Sequence, residues 1–148
     1  MSRNNIGRPM EILLVEDSLT HAAMTIEALK QGMVRHRLTL VVDGVEAMEF
    51  LRREGKFGRA PHPDLVLLDL ELPRKDGREV LTDMKADTTL EHIPVVILTS
   101  SDDPDDVAQA QMLGVDSYIT KPVDREKFLN VVRQLKSHWH ADLVLPPM

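Results

Sequence analysis

The sequence predicts an α/β protein built on a doubly wound parallel sheet. Short continuous apolar runs recur along the chain, segments with helical spacing of apolar residues separate them, and strand and helix alternate five times. Strands that are apolar at every position are buried on both faces, which is typical of a parallel sheet covered by helices on each side. The class follows from this pattern.

Five apolar runs are the predicted strands. Each run is too short for a buried helix, and polar or turn residues end it. The runs are 12–15, 38–42, 65–68, 95–98 and, more weakly, 115–119.

The intervening segments carry apolar stripes with helical spacing. The first stripe ends at Gly32, a residue suited to closing a helix. The last helix is expected to begin near Asp124 and to continue to Trp139, a range that would span about 24 Å. The strands beneath reach only about 17 Å. The end of this helix is therefore expected to overhang the sheet.

The composition of the chain excludes several classes of protein. The 148 residues suit one domain, with 1–9 as a flexible tail, 10–139 as the folded part and 140–148 as a C-terminal extension. With 18 Lys and Arg against 24 Asp and Glu, the net charge of −6 disfavours nucleic-acid binding. No cysteine is present for disulfides or thiolate metal sites, and no run is long enough for a membrane span. A cytoplasmic protein is expected.

Polar residues follow the strands where an open parallel sheet forms its sites. The carboxyl ends of strands carry Glu16, Asp17, Asp69, Thr99 and Lys121. Ionised carboxylates brought together disfavour one another's charge, so a cation must lie among them. Oxygen ligands of this kind suit Mg²⁺, which also binds phosphate oxygens. Taken singly, Asp17 is more simply a helix cap and Lys121 a solvated loop residue; the set is the specific signal.

These residues resemble the receiver domain of two-component response regulators. The resemblance covers about residues 10 to 138, and it implies the flavodoxin-like receiver fold with strand order 2-1-3-4-5. The residues that carry it are Glu16-Asp17, Asp69 with Pro73 and Gly77, Thr99-Ser100, and Tyr118 with Lys121-Pro122.

The resemblance assigns roles at the site. It implies that Asp69 accepts a phosphoryl group from a phosphohistidine of a sensor histidine kinase. It also implies that Mg²⁺ is bound by Asp17, Asp69 and the backbone carbonyl of Glu71, and by Glu16 through a water molecule. The protein would then catalyse only its own phosphotransfer and dephosphorylation and would not be an enzyme acting on other substrates.

The resemblance also implies a switch. Thr99 and Lys121 would hold the phosphoryl oxygens, and Tyr118 would move inward as Thr99 is drawn toward the phosphate. The Lys121-Pro122 bond would be cis.

Within the family, a narrower resemblance points to a partner. The stretch APHPDLVLLDLELPRKDGREVL and the tail containing Trp139 are similar to the small receivers that partner bacterial and cyanobacterial phytochromes. This implies a bacteriophytochrome as the sensor histidine kinase.

Two other functions stay open. A Mg²⁺-dependent phosphohydrolase also uses an aspartate nucleophile, although such enzymes usually carry an Asp-x-Asp pair on the first strand, whereas Asp69-Leu70-Glu71 follows the third. A scaffold that is never phosphorylated is the second alternative. The complete set of acid, threonine and lysine argues against it.

A homodimer is the remaining expectation. The overhanging helix would expose Trp139 beside Leu143, Val144 and Leu145, and an exposed apolar patch usually marks a partner surface. The dimer is expected on the face of the fourth helix, fifth strand and fifth helix, together with the tail. The alternative is that the tail folds back over its own domain.

Overall fold

Strands and helices alternate along the whole described chain. The structure is a computed structural model, and it describes residues 8–32, 34–100 and 104–139. The strands are β1 Met10–Val15, β2 His36–Val41, β3 Leu65–Asp69, β4 Val95–Thr99 and β5 Ser117–Thr120. The helices are α1 Leu19–Gln31, α2 Gly44–Arg52, α3 Gly77–Ala86, α4 Pro104–Met112 and α5 Arg125–Leu135.

The five strands form one parallel sheet in the order β2-β1-β3-β4-β5. This confirms the predicted class and the strand order implied by the resemblance. β1 lies between β2 and β3, with Val15 opposite both Val41 and Leu68. All five strands therefore end at one edge, where the predicted site residues follow them.

Helices cover both faces of the sheet, and each face has its own core. Leu14 of β1 packs in a cluster with Leu29 of α1 and Phe128 of α5. Leu13, its neighbour, packs on the opposite face in a cluster with residues of α2, α3 and α4. Successive strand side chains thus enter different cores, which explains why the strands are apolar at every position.

The structure shifts the starts of three predicted strands. β1 begins at Met10 and β2 at His36, each two residues earlier than its apolar run. β5 begins at Ser117, and the preceding Asp116 uses its carboxylate to accept a hydrogen bond from Val95 N at 2.9 Å. The first amide of β4 is therefore bound by the Asp116 side chain, and the pairing of β5 with β4 begins one residue later, at Ser117.

The predicted overhang of the last helix is wrong. α5 ends at Leu135, a 3₁₀ turn follows over Lys136–His138, and Trp139 is extended. The indole Nε1 donates a hydrogen bond to Asp64 O at 2.7 Å, and the ring packs against the α1–α5 core. Trp139 is therefore held to its own domain and is not part of an exposed patch, because the 3₁₀ turn redirects the chain toward the start of β3.

The predicted terminal segments are only partly described. Arg8, from the predicted N-terminal tail, pairs with both carboxylate oxygens of Asp64 at 2.7 and 2.9 Å. Residues 1–7 lie outside the described residues, and so do Leu143, Val144 and Leu145 of the predicted interface. Across the described ranges, no helix is both long enough and apolar enough to span a bilayer.

Two glycines allow the loops at the site edge to pack closely. A Cβ on Gly77, at the start of α3, would lie 2.3 Å from Asp69 O. A Cβ on Gly44, at the start of α2, would lie 1.8 Å from Lys75 O. Both contacts are with backbone, which cannot move aside as a side chain can. The loop after β3 therefore requires glycine beneath it.

Gly44→Ala should lower the free energy of unfolding by about 2 kcal/mol or more, because the added methyl group displaces the backbone at Lys75. Gly58→Ala is the matched control, since the nearest atom to its Cβ is 3.6 Å away. Urea unfolding checks both variants. Equal stability of the two would contradict the close approach.

Candidate functional site

The carboxyl edge of the sheet brings the predicted site residues into one cleft. Glu16 and Asp17 follow β1, Asp69 ends β3, Thr99 ends β4 and Lys121 follows β5. All five line the same depression, of about 280 Å³. Separate strand ends, distant in sequence, therefore form a single polar site.

Lys121 joins two of the carboxylates. Its Nζ lies 2.6 Å from Glu16 Oε1 and 3.0 Å from Asp69 Oδ2. The Lys121 side chain is 9% exposed and that of Glu16 is fully buried. The contact with Glu16 Oε1 is an ion pair without hydrogen-bond alignment, so this buried oxygen accepts no aligned hydrogen bond from the described residues. The charge of Glu16 is thus compensated by Lys121, but its Oε1 lacks a hydrogen bond.

Burial and mutual charge set the ionisation of this pair. Burial raises the pKa of Glu16, the Asp69 carboxylate adds to the rise, and Lys121 offsets part of it. Burial acts to lower the pKa of Lys121, but the close carboxylates of Glu16 and Asp69 outweigh it, so that pKa is raised. The ammonium is thus held in its charged form between the two acids.

The acidic residues fit a divalent cation. Carboxylate oxygens of Glu16, Asp17 and Asp69 lie within 4.8 Å of one another. Asp17 is exposed, whereas the other two are buried, so the group is open to solvent on one side. One ammonium faces three carboxylates, and oxygen donors are the ligands that Mg²⁺ takes in proteins. The donor set therefore suits Mg²⁺ chemically.

Local structure positions Asp69. Its Oδ1 accepts a hydrogen bond from Glu71 N at 3.0 Å, and its Oδ2 contacts Lys121. Behind it, Gly77 N donates to Leu70 O at 2.9 Å, which closes the loop against the start of α3. Asp69 is 8% exposed, so its carboxylate is presented at the cleft with one oxygen bound on each side.

Thr99 and Tyr118 lie close to each other on neighbouring strands. Both line a small depression together with Val107 and Ala110 of α4. Thr99 is half-buried at the cleft, whereas Tyr118 is 41% exposed. Lys121 N donates to Thr99 O at 2.7 Å, and the Lys121-Pro122 bond is cis, as the resemblance implied. Thr99 is thus connected to the lysine through the backbone.

Two residues at the cleft were not predicted. His21 Nδ1 lies 3.1 Å from Lys121 Nζ, and since an ammonium can only donate, that ring nitrogen acts as the acceptor. Arg78, in the first turn of α3, also lines the cleft. The sequence contained one signal: both residues fall in the first turn of a helix that follows a site strand, where side chains face the sheet edge.

Comparisons with known proteins agree with this geometry. The model of the family described as the response regulator receiver domain matches residues 12–133. The response regulator Rcp1 of Synechocystis sp. (strain PCC 6803) is 42% identical over 138 residues, which cover 93% of this chain and 94% of Rcp1. The chain belongs to the response regulator receiver domain family.

Solved structures of other receivers are similar to this chain over most of its length. The Mn²⁺-bound form of Rcp1 has a TM-score of 0.74 at 42% identity, covering 94% of this chain and 100% of that one. The bacteriophytochrome response regulator RtBRR has a TM-score of 0.82 at 38% identity, with coverage of 95% and 85%. The phosphorylated cyanobacterial phytochrome response regulator RcpA has a TM-score of 0.75 at 42% identity, with coverage of 95% and 100%. The protein is thus similar to small receivers associated with phytochromes.

Lys121→Met should destabilise this receiver by about 3 to 5 kcal/mol, because Glu16 and Asp69 lose the buried charge that compensates them. Added Mg²⁺ should restore part of the loss, since a ligand that binds only the folded state stabilises it. Urea unfolding with and without Mg²⁺ measures both effects.

Lys56→Met is the matched control. Lys56 also pairs with a glutamate, Glu46, at 2.9 Å, but at a solvent-exposed position. The stability of Lys56→Met should stay close to that of the wild type with or without Mg²⁺. A Lys121→Met protein as stable as this control would show that the buried contacts contribute nothing.

Proposed function

We propose that the protein is a single-domain response regulator that accepts a phosphoryl group on Asp69, with Mg²⁺, from a sensor histidine kinase. The observation that carries this proposal is the contact of Lys121 with both Glu16 and Asp69 inside the acidic cleft. An aspartate held in this way has a cation beside the oxygen that would carry the new charge. The family membership supports the same function.

The residues around Asp69 suit the transfer of a phosphoryl group. A carboxylate oxygen of Asp69 would form the new O–P bond as the N–P bond of the kinase phosphohistidine breaks, and the electron pair of that bond would return to the imidazole. Asp17, Asp69 and the Glu71 carbonyl would hold Mg²⁺ directly, with Glu16 acting through a water molecule. The metal would supply positive charge against the incoming phosphoryl oxygens. Lys121 would then pair with a phosphoryl oxygen, and Thr99 would donate its hydroxyl hydrogen to another.

The site favours a regulator over a phosphohydrolase. The candidate nucleophile ends β3, and the residue two positions on is Glu71 in place of a second aspartate. The cleft opens to solvent at the sheet edge, and no described segment covers it, whereas phosphohydrolases of this kind usually carry a cap that encloses the substrate. We therefore infer that the protein acts on no substrate other than its own phosphorylated residue.

The kinase partner is proposed to be a phytochrome. Support comes from Rcp1, RtBRR and RcpA, which are similar over nearly the whole chain, two of which are described as phytochrome response regulators. A phytochrome kinase would couple light to the state of Asp69.

Phosphorylation is proposed to act on the face formed by α4, β5 and α5. Thr99 lines both the cleft and the small depression beside Tyr118. A movement of Thr99 toward the cleft therefore changes the space available to Tyr118. Met112 of α4 is 87% exposed and Tyr118 is 41% exposed, which leaves apolar surface on this face. We propose that this face and the C-terminal extension form a homodimer. Trp139 is excluded from that interface because it packs on its own domain.

Incubation with a small-molecule phosphodonor and Mg²⁺ should add one phosphoryl group, seen by intact mass. Asp69→Asn should abolish the gain, because the amide oxygen is a poor nucleophile, and chelation of the metal should prevent it. Asp87→Asn, at the end of α3, is the control and should be labelled like the wild type. Labelling of Asp69→Asn would contradict the assignment of Asp69 as the phosphorylated residue.

Activation by beryllofluoride and Mg²⁺ should change hydrogen exchange in α4, β5 and α5, since Thr99 connects the cleft to Tyr118. Thr99→Ala should reduce this change while leaving the exchange of α2 unaltered. A change confined to α2 would contradict the proposed switch.

Sedimentation of the full chain beside a chain ending at Trp139 tests the dimer. This end point retains the contact of Trp139 with Asp64, so the shorter chain keeps its described fold. The full chain should sediment as a dimer at micromolar concentration and the shorter chain as a weaker one. Monomers in both cases, with and without phosphorylation, would refute the dimer.

A further inference from the structure

An ion pair outside the cleft holds the loop that follows β3. Arg74 Nε donates to Asp43 Oδ2 at 2.9 Å, and Arg74 Nη2 donates to Asp43 Oδ1 at 3.1 Å. This two-point contact fixes both the distance and the plane of the guanidinium. Neither residue lines the acidic cleft. The pair therefore connects the loop of residues 70–76 to the start of α2.

Asp43 is a rigid anchor for this contact. It is 7% exposed, it caps α2, and its Oδ1 also accepts from Glu46 N at 2.8 Å. Burial acts to raise the pKa of Asp43, but the hydrogen bonds from Arg74 and Glu46 outweigh it and hold that pKa below its usual range. Asp43 is thus a fixed carboxylate and not a mobile surface acid.

The loop has an unfavourable backbone conformation at Arg74, the residue that the ion pair holds. Arg74 has a φ of 64°, in the left-handed region that a residue other than glycine adopts only when its surroundings require it. Next to it, Lys75 O packs so closely on Gly44 that no Cβ fits there. Lys75 Nζ contacts Asp83 of α3 at 2.6 Å. The outer half of the loop is therefore held from α2 and α3.

The inner half of the same loop carries Glu71. Glu71 N is held by Asp69 Oδ1 at 3.0 Å, and Leu70 O is held by Gly77 N. A backbone carbonyl has no side-chain rotamers, so the direction of Glu71 O is set by the backbone on its two sides. Asp69 fixes the preceding side. On the following side, Leu72 packs against the core that α2 and α3 cover, and Arg74 is held by Asp43.

We propose that the Asp43–Arg74 ion pair is a positioning device for the divalent-cation site, which orients the backbone carbonyl of Glu71 toward the acidic cleft. This inference rests on the proposed function, in which that carbonyl is a ligand. Arg74 and Asp43 are positioning residues, since they act through the loop and touch neither metal nor phosphoryl group. Outer residues that orient a ligand commonly change metal affinity when they are replaced.

Charge alone makes the opposite prediction for Arg74. Removing a positive side chain near an acidic cleft should strengthen binding of a cation through long-range attraction. Removing the loop anchor should weaken it. The sign of the change in metal affinity therefore separates positioning from simple electrostatics.

The test uses the full chain and substitutions that preserve local backbone. Arg74→Asn removes the ion pair but suits a positive φ. Asp43→Asn removes the charge but keeps a residue that caps helices well. Arg74→Lys keeps the charge and loses the two-point contact. Lys56→Asn is the control, because it removes an equal charge from an ion pair on the same helix, with Glu46.

Binding of Mg²⁺ by calorimetry and of Mn²⁺ by electron paramagnetic resonance should show the effect. Arg74→Asn and Asp43→Asn should each weaken binding at least about threefold. The double variant should be no weaker than the weaker single variant, because both remove one interaction. Arg74→Lys should fall between the wild type and Arg74→Asn, and Lys56→Asn should bind as well as the wild type or slightly better.

Two results would overturn the inference. The first is unchanged or tighter Mg²⁺ binding by Arg74→Asn; if the metal-free stability of that variant also falls, the ion pair is a structural contact only. The second is a wild-type protein whose Mg²⁺ binding is absent or survives Asp17→Asn and Asp69→Asn, which would refute the proposed function together with this inference.

Discussion

The buried contact of Lys121 with Glu16 and Asp69 is the constraint on which the site end of the protein depends. Two carboxylates at the ends of adjacent strands cannot both stay ionised when they are buried together unless a cation compensates them. The lysine arrives from β5, across the end of β4, and it meets both acids at 2.6 and 3.0 Å. The strand order is therefore required for charge compensation as well as for packing of the two cores.

The same constraint explains how tightly the loops at this edge are built. Asp69 must stay at the cleft while the chain turns at once into α3, so Gly77 packs against Asp69 O, where a Cβ would lie at 2.3 Å. Glu71 N occupies the Asp69 oxygen that Lys121 leaves free. Lys121 N in turn binds Thr99 O. Lys121 thus connects the acid, through its side chain, with the threonine, through its backbone.

Sequence reasoning predicted what depends on strong local patterns. The apolar runs gave five strands, and the position of Asp69 at the end of a buried run identified the cleft; the strand order and residue roles came from the resemblance. The end of α5 was not predictable, because Trp139 continues the helical stripe and only the carbonyl of Asp64, distant in sequence, draws the indole away. His21 and the Asp43–Arg74 pair were missed for the same reason: each contact joins elements that only the folded sheet edge brings together.

The charge balance of the cleft links its stability to its proposed function. Three carboxylates lie close together and the ammonium of Lys121 pairs with two of them, so the folded protein retains repulsion that a divalent cation would relieve. A phosphoryl group on Asp69 would then compete with Glu16 for Lys121. Glu16 is fully buried, and its Oε1 has no other partner among the described residues, so moving the lysine away would carry a high cost. The Lys121 backbone N is bound to Thr99 O at 2.7 Å, so a shift of the backbone at Lys121 would be passed on to Thr99. The imbalance at Glu16 is thus a physical route by which chemistry at Asp69 would reach the α4–β5–α5 face.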